Sequence, residues 1–442
     1  MRVLVVGSGP TGIVLGAALG RRGHHVVSVD RDAGPTVDGW HRRGVMQFVH
    51  AHNFRPQVTQ LLAREWPTAY DAWRDLGAEP IASGHPGADP ARLGMLSRRE
   101  TLERALRLAA ERDALLELRV GHVDGLLEDR GRVRGALVDG VAVEADLVVD
   151  ASGRAGRIGS RARDHRVPDD LGGPCGLAYV DRTYRLRDGA EPGPMNTPMG
   201  FIGELRGYQC LVFLHELGHF SVVVVRPTAD PELAALRDLT TYEAACAAVP
   251  VLAAWTDPGR SRPTSGVLVG GALRNVYRSQ QVREGLVTVG DAVATTTPTR
   301  GRGVAMACLQ IEALLGLLDG GADPRTVAGP FDAWCAENIR PWVADHIAID
   351  GGMERRWQGE DIDLDAPLTS DLVADAVQAE PRIGPYAGGY FAMTALPSTL
   401  APAEPLARAV YERGWRPPLT EGPSRDELVA IIGRTSLATA GR

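Results

Sequence analysis

The first thirty residues constrain the fold of this chain more than any other part of it. In "RVLVVGSGPTGIVLGAALGRRGHHVVSVDRD" a buried strand over Val3 to Val6 runs into a glycine-rich turn, a helix from Thr11 to Arg22 and a second strand, "HVVSVD". Gly7, Gly9 and Gly12 stand at G-x-G-x-x-G spacing. The first glycine permits a tight turn, the second lets a pyrophosphate approach the backbone, and the third lets helix and strand pack closely. The start of the helix offers N–H groups and the positive end of a dipole to phosphates. Asp30 closes the second strand about twenty residues on, where a carboxylate would accept hydrogen bonds from an adenosine ribose. Set between strand and helix, with the acid in place, the motif implies an α/β, Rossmann-like domain that binds a dinucleotide.

Composition removes several other possibilities. At 442 residues the chain can hold two or three domains and a large core. Its formal net charge of -7 argues against a nucleic-acid or anionic-membrane partner. All 48 basic residues are arginine, so Schiff-base, Walker-type and other catalytic lysines are excluded. Cys175, Cys210, Cys246, Cys308 and Cys335 are scattered without a C-x-x-C pair and read as reduced, mostly buried thiols of a cytoplasmic protein. The apolar N-terminus is broken by glycines and a proline and reads as neither a secretory signal nor a membrane span.

HELGH, at His215 to His219, matches the H-E-x-x-H zinc signature letter for letter. That chemistry needs both histidines on one helical face with the glutamate beside them as general base. Here "YQCLVFL" precedes and "FSVVVVRP" follows, two short apolar runs with Gly218 in the link. The pattern predicts a hairpin with a solvated turn, and no metal site is expected.

A second segment, "EGLVTVGDAVATTTPTRGRGVAMACLQIEALLGLL", says which dinucleotide. A strand over Leu286 to Val289 leads into Gly290-Asp291, a polar loop to Pro298, and Gly301-Arg302-Gly303 at the start of a long apolar helix. The helix turns its positive end toward whatever the loop holds, and the two glycines let backbone come close to a flat ring. Here the sequence resembles the FAD-dependent monooxygenases of the p-hydroxybenzoate hydroxylase fold. That resemblance implies that Asp291 binds the flavin ribityl chain and that Pro298, Gly301 and Gly303 lie along the isoalloxazine. In "LSRRETLERAL", Arg99 matches the arginine that reaches the FAD phosphates, and "ADLVVDASGR" matches the strand closing the FAD domain. Arg31 and Arg43 join the cofactor-binding set. "HRRGVMQFVHAH" and the overall order look nearest to the styrene monooxygenase, flavin halogenase and polyether epoxidase branch. The likeness covers residues 1 to 330, and the remainder matches nothing comparable.

The resemblance implies a Rossmann-like FAD-binding domain of the GR2 type with an inserted β-sheet substrate domain and a C-terminal helical region. The expected boundaries are 1–165 and 280–330 for the two parts of the FAD domain, 166–279 for the substrate domain and 331–442 for the helical region. A helix is expected over "TYEAACAAVPVLAAW" within the insert. The implied reaction is hydroxylation or epoxidation of a small organic substrate by O2 through a flavin C4a-hydroperoxide, in specialised metabolism such as antibiotic biosynthesis. Reductases of the geranylgeranyl reductase type share the motifs and stand as the alternative.

Departures from the pattern narrow this reading. Ser152-Gly153 stands where single-component hydroxylases carry an Asp-Gly pair linked to NAD(P)H use. Electrons from NAD(P)H are therefore expected directly or through a separate flavin reductase. The lysine and W-x-W-x-I-P motif that the family's halogenases use are both missing. No catalytic residue is fixed by the sequence. His50, His52 and Arg302 are candidates, each histidine being either a hydrogen-bonding partner of flavin or substrate or the anchor of a loop. Trp66 and Trp73, seven apart, read as core.

Overall fold

The computed structural model describes residues 1–37, 39–42, 44–81, 89–154, 156, 158, 171–280 and 283–440. The chain divides into two compact units, Met1–Phe48 with Phe54–Gly173 and Arg274–Val343, and Val49–Asn53 with Pro174–Leu273 and Ala344–Arg442.

In the first unit five parallel strands lie in the order Leu286–Thr288, Leu147–Asp150, Arg2–Val6, His25–Asp30, Leu116–Val120. The inner strands of this sheet need apolar side chains on both faces, because parallel sheets are covered on both sides. Val3 to Val6 and Leu147 to Val149 are accordingly all buried. Leu4, Val6 and Val148 pack against Val133, Ala136 and Val138 of an antiparallel meander, Val123–Asp129, Arg132–Val138 and Val141–Glu144. The opposite face carries the helix Pro10–Arg21, one residue ahead of the span expected from sequence. Gly16 is what lets that helix settle, since a Cβ there would lie 3.0 Å from Leu116 Cδ1 and 3.3 Å from Val26 Cγ1. Trp66 and Trp73 are core, and Trp73 Nε1 donates to Ser97 Oγ at 2.9 Å.

The second unit is built on an antiparallel sheet in the order Gly200–Leu205, Tyr208–Leu214, His219–Pro227, Leu177–Leu186, Ser261–Pro263, with Leu268–Gly270 also paired to Leu177–Leu186. One face of it, through Val180, Tyr184, Val212, Phe220, Val222 and Val224, packs on Tyr242, Leu252, Trp255, Leu428 and Ile432. The helix expected over "TYEAACAAVPVLAAW" is two helices, Leu239–Ala248 and Pro250–Thr256. Pro250 lacks the N–H that would continue the first and is well placed in the opening turn of the second. Asp238 caps the first by accepting from the amides of Thr240 and Thr241. The C-terminal part of this unit is helical over Ser370–Asp375, Gly384–Phe391, Glu404–Glu412 and Arg425–Ala440.

The tightest place in the first unit is its glycine turn. A Cβ on Gly12 would fall 1.9 Å from the Gly7 carbonyl oxygen, so neither backbone can accept one without moving. Gly12→Ala is expected to lower the stability of the cofactor-free chain by about 1–3 kcal/mol. Urea unfolding reads this as a lower midpoint at unchanged slope, and an unaltered midpoint would contradict the packing described.

Candidate functional site

Two segments far apart in sequence meet at the carboxyl ends of the parallel strands. Gly7 takes φ 102°, its amide bonding the Val29 carbonyl at 2.8 Å, and a Cβ there would lie 2.6 Å from the Ala151 carbonyl oxygen. Gly9 ends the turn with no side-chain cap on the helix that follows, and a Cβ there would find nothing closer than Arg42 Nη1 at 3.9 Å. The amides of Thr11 and Gly12, ahead of the Ile13 amide that bonds the Gly9 carbonyl at 3.0 Å, therefore have no side-chain cap. Gly290 comes from the other end of the domain to rest against Thr11, where a Cβ would stand 2.8 Å from its Oγ1. Gln310 receives the Gly290 amide at 2.8 Å. Asp291 is thus delivered to the mouth of the glycine turn.

Its carboxylate accepts no hydrogen bond among the described residues. Burial raises the Asp291 pKa, against the charges of Arg99, Arg154 and Arg278 that favour its ionised form. Asp291 is thus one acceptor among the charges of three arginines that come from three separate segments of the chain. Beyond it, Pro298 opens a short turn that Gly301 ends in the left-handed region at φ 58°. Arg55 ties this loop down, donating to the carbonyls of Arg300 at 2.7 Å and Gly301 at 3.1 Å. Gly303 starts the helix Gly303–Asp319 with empty space where a Cβ would be. Arg302 is turned inward, 2% exposed, its guanidinium 4.7 Å from the centre of the Trp342 ring.

Asp30 sits where the sequence places it but is already engaged. Oδ2 accepts from the Ser8 amide at 2.8 Å and from Arg42 at 2.6 Å, and Oδ1 accepts from the Asp32 amide. Arg42, 3% exposed at its side chain, also pairs with Glu103, while Arg99 pairs with the other oxygen of Glu103 at 2.6 Å. Burial alone would lower the pKa of Arg42, but Glu103, Asp30 and Asp32 outweigh it and hold the guanidinium charged. Trp40 closes the cluster, its Nε1 donating to Asp32 and its ring lying 5.2 Å from the Arg107 guanidinium. Arg31 is exposed at the strand end, and Arg43 lies outside the described residues. Sequence reasoning missed Arg42, Glu103, Arg154 and Arg278. Only the doubled arginine of "HRRG" hinted at the first.

His50 and His52 belong to the second unit. His50 Nδ1 lies 2.5 Å from Asp181 Oδ1, and His52 Nδ1 donates to the His50 carbonyl at 2.9 Å. HELGH turns the hairpin between Tyr208–Leu214 and His219–Pro227, with Leu217 and Gly218 both at positive φ. The turn is not solvated as expected. His215 and Glu216 are buried, His215 Nε2 meeting Ser221 Oγ at 2.9 Å, while Leu217 is exposed and Gly218 and His219 are half-buried. His219 instead donates from Nδ1 to the Glu216 carbonyl at 3.1 Å. No group of three or more His, Cys, Asp or Glu that could hold a metal occurs among the described residues.

Comparison with known proteins agrees with this geometry. Residues 1–54 match the family model of an FAD binding domain. The chain has the fold of the FAD-dependent monooxygenases. PqsL, a probable FAD-dependent monooxygenase from Pseudomonas aeruginosa, superposes with a TM-score of 0.60 at 19% identity over 81% of this chain and 98% of its own. A triple mutant of the flavin-dependent brominase Bmp2 gives 0.61 at 16% identity over 100% and 99%. The myxobacterial chondrochloren halogenase CndH gives 0.58 at 16% over 99% and 96%. No curated protein sequence matches the chain.

The residues present fit an FAD. Gly7 and Gly12 leave no room for side chains, the helix after Gly9 starts without a side-chain cap, Asp291 offers a carboxylate with no bonded partner among the described residues, and Gly303 leaves space for a flat ring. Asp291→Ala is expected to weaken FAD binding about tenfold to a hundredfold, the worth of a charge-assisted hydrogen bond. Fluorescence titration of the apoprotein measures it, and wild-type affinity would remove Asp291 from the site. Arg42→Ala leaves Asp30 and Glu103 without their shared cation and is expected to cost about 3–5 kcal/mol in stability, read by urea unfolding. His215→Ala removes the side chain that meets Ser221 and is expected to leave metal content, measured by elemental analysis, unchanged.

Proposed function

We propose that the chain is an FAD-dependent monooxygenase that hydroxylates or epoxidises a small organic substrate in specialised metabolism. The observation that carries the proposal is the delivery of Asp291 to an open, uncapped glycine turn by a segment from the far end of the domain. In the proposed reaction one atom of O2 enters the substrate, the other leaves as water, and NAD(P)H supplies two electrons. The bound flavin would supply the oxygen chemistry. The chain's part is placement. The turn through Gly7, Gly9 and Gly12 brings the first amides of the helix to the diphosphate, Asp291 accepts from the sugar-alcohol chain, and Arg99, Arg154 and Arg278 offset phosphate charge. Pro298, Gly301 and Gly303 border the ring, where the positive end of the helix Gly303–Asp319 favours an electron-rich edge. Asp30 acts at the adenosine end through the turn it braces and the Arg42 it holds.

A neighbour of the same fold, PqsL, has been observed with 2-aminobenzoylacetate, which supports a substrate of that scale. The absence of lysine argues against halogenation of the kind that uses one. Ser152 bends back on Asp150, its hydroxyl and amide both donating to the same carboxylate oxygen. The Asp-Gly pair linked to nicotinamide use is thus replaced by a hydroxyl turned inward. This supports electron supply through a flavin reductase.

The purified chain is expected to be yellow, or to become so with FAD, at one flavin per chain. NADPH alone is expected to bleach the flavin slowly under anaerobic conditions, and an added reductase to restore oxygen uptake. Stopped-flow absorbance decides the second point. Bleaching by NADPH as fast as turnover, and faster with substrate, would show a self-sufficient enzyme, while a chain that binds no flavin would overturn the proposal as a whole.

A further inference from the structure

Four helices of the first unit, Pro10–Arg21, Pro56–Glu65, Arg99–Ala110 and Gly303–Asp319, enclose a cavity of about 10 Å3. Its wall is apolar, with Val14, Leu61, Leu102, Leu106 and Ile311 all buried around it. Val304, Cys308 and Ile311 follow one another at four and three residues along the last helix and so share the face turned to the cavity. Protein interiors pack to crystal-like density, and a void forfeits the contacts its lining would otherwise make. Here Ala307 and Cys308, two small side chains among larger ones, leave the space open.

The space is dry. A water molecule in a cavity this small needs roughly two to four polar partners. Thr11 brings the one hydroxyl of the lining, on the residue against which Gly290 rests. Cys308 brings a thiol that burial keeps protonated, and a thiol bonds water only weakly. The direction of the opening follows from exposure. Nine of the twelve lining residues are buried, and the three half-buried ones, Pro10, Thr11 and Val304, belong to the first turns of two helices. Those are the helix starts that the proposed function gives to the FAD. The closed end of the cavity is the core, and the open end is the cofactor's place.

A space of this volume admits neither an organic substrate nor a nicotinamide. It does suit a diatomic gas, since dry apolar cavities take up small apolar guests such as xenon. Dioxygen has no charge and no strong hydrogen bond to give up on leaving water for an apolar wall. We propose that this cavity is a binding site for dioxygen, which is held there beside the cofactor before it reacts. The inference rests on the oxygenase reading, which makes O2 the second substrate. No bond forms or breaks in this step. O2 enters and leaves with its electrons unchanged, and the walls supply dispersion contacts.

The test uses the full-length, FAD-loaded protein with carbon-13 in its Ile, Leu and Val methyl groups, under argon and under oxygen. Dioxygen is paramagnetic and speeds the relaxation of the protons it touches. In wild type the methyls of Val14, Leu61, Leu102, Leu106 and Ile311 are expected to relax several-fold faster under oxygen, in excess of any gain at the buried sheet residues Leu4 and Val148. Cys308→Leu fills the cavity. It is expected to abolish that excess and to slow the reoxidation of dithionite-reduced flavin by O2 several-fold, read by stopped-flow absorbance. Ala307→Val is a smaller filler for the same measurements where Cys308→Leu fails to fold. A mere packing defect would give the wild-type lining no excess over Leu4 and Val148. That result, an excess that survives filling, or reoxidation as fast in the filled protein as in wild type would overturn the proposal. Flavin content separates the two readings, since a yellow protein without the excess loses the oxygen site alone, and a chain that takes up no flavin loses the oxygenase.

Discussion

The first unit depends on backbone pressing against backbone where no Cβ fits. Gly12 closes on the Gly7 carbonyl, Gly7 on the Ala151 carbonyl, and Gly290 on Thr11. The last two of these contacts join segments that are far apart in the chain, as the crossover connections of parallel strands require. Together they bring the ends of three strands, Arg2–Val6, Leu147–Asp150 and Leu286–Thr288, to one place. Sites in parallel sheets form outside the carboxyl ends of the strands, and here the glycines set how close the walls of that site can come. The helices that start there, Pro10–Arg21 and Gly303–Asp319, both do so without side-chain caps, which leaves their first amides available to a ligand.

Charge is divided around this place according to whether it has a partner. Asp30, Glu103 and Arg42 satisfy one another in a nearly closed cluster, with Arg99 and Asp32 at its edge. Asp291, a short way off in the same unit, feels Arg99, Arg154 and Arg278 but makes no bond through its carboxylate to the described residues. A buried charge without a bonded partner is costly, and the half-buried Asp291 differs in this from the braced cluster around Arg42.

The second unit spends its one fully buried sheet carboxylate differently. Along Leu177–Leu186 the alternation of a strand puts Val180 and Tyr184 into the core with Trp255 and Leu252, while Tyr179 and Asp181 take the other face. A single strand thereby serves packing on one side and holds His50 on the other. Burial raises the pKa of Asp181 and the bond from His50 opposes it, so the state of the pair depends on a contact between residues 131 positions apart.

Local pattern made much of the first unit legible. The glycine spacing, the Val-rich strands and Asp30 at a strand end are short-range properties, and the second strand falls on the residues expected. The H-E-x-x-H match yields to the same kind of reading, because its flanks alternate like strands and not like a helix. Pro250 shows a lapse in local reading, since its missing N–H was visible in the sequence and splits the expected helix. Other features were not available locally. Asp30 was read as a free acceptor because nothing near it in sequence shows that Arg42 folds back onto it, and the buried turn at His215 depends on Ser221 across the hairpin. Asp181, in the middle of an apolar strand, acquires its meaning only from a histidine delivered by another part of the chain. The sequence by itself determined which elements form and which backbone turns must be glycine, since those follow from period, propensity and φ. Which charges meet was decided by the tertiary structure alone, because a side chain's partner depends on distances that only the assembled sheets define.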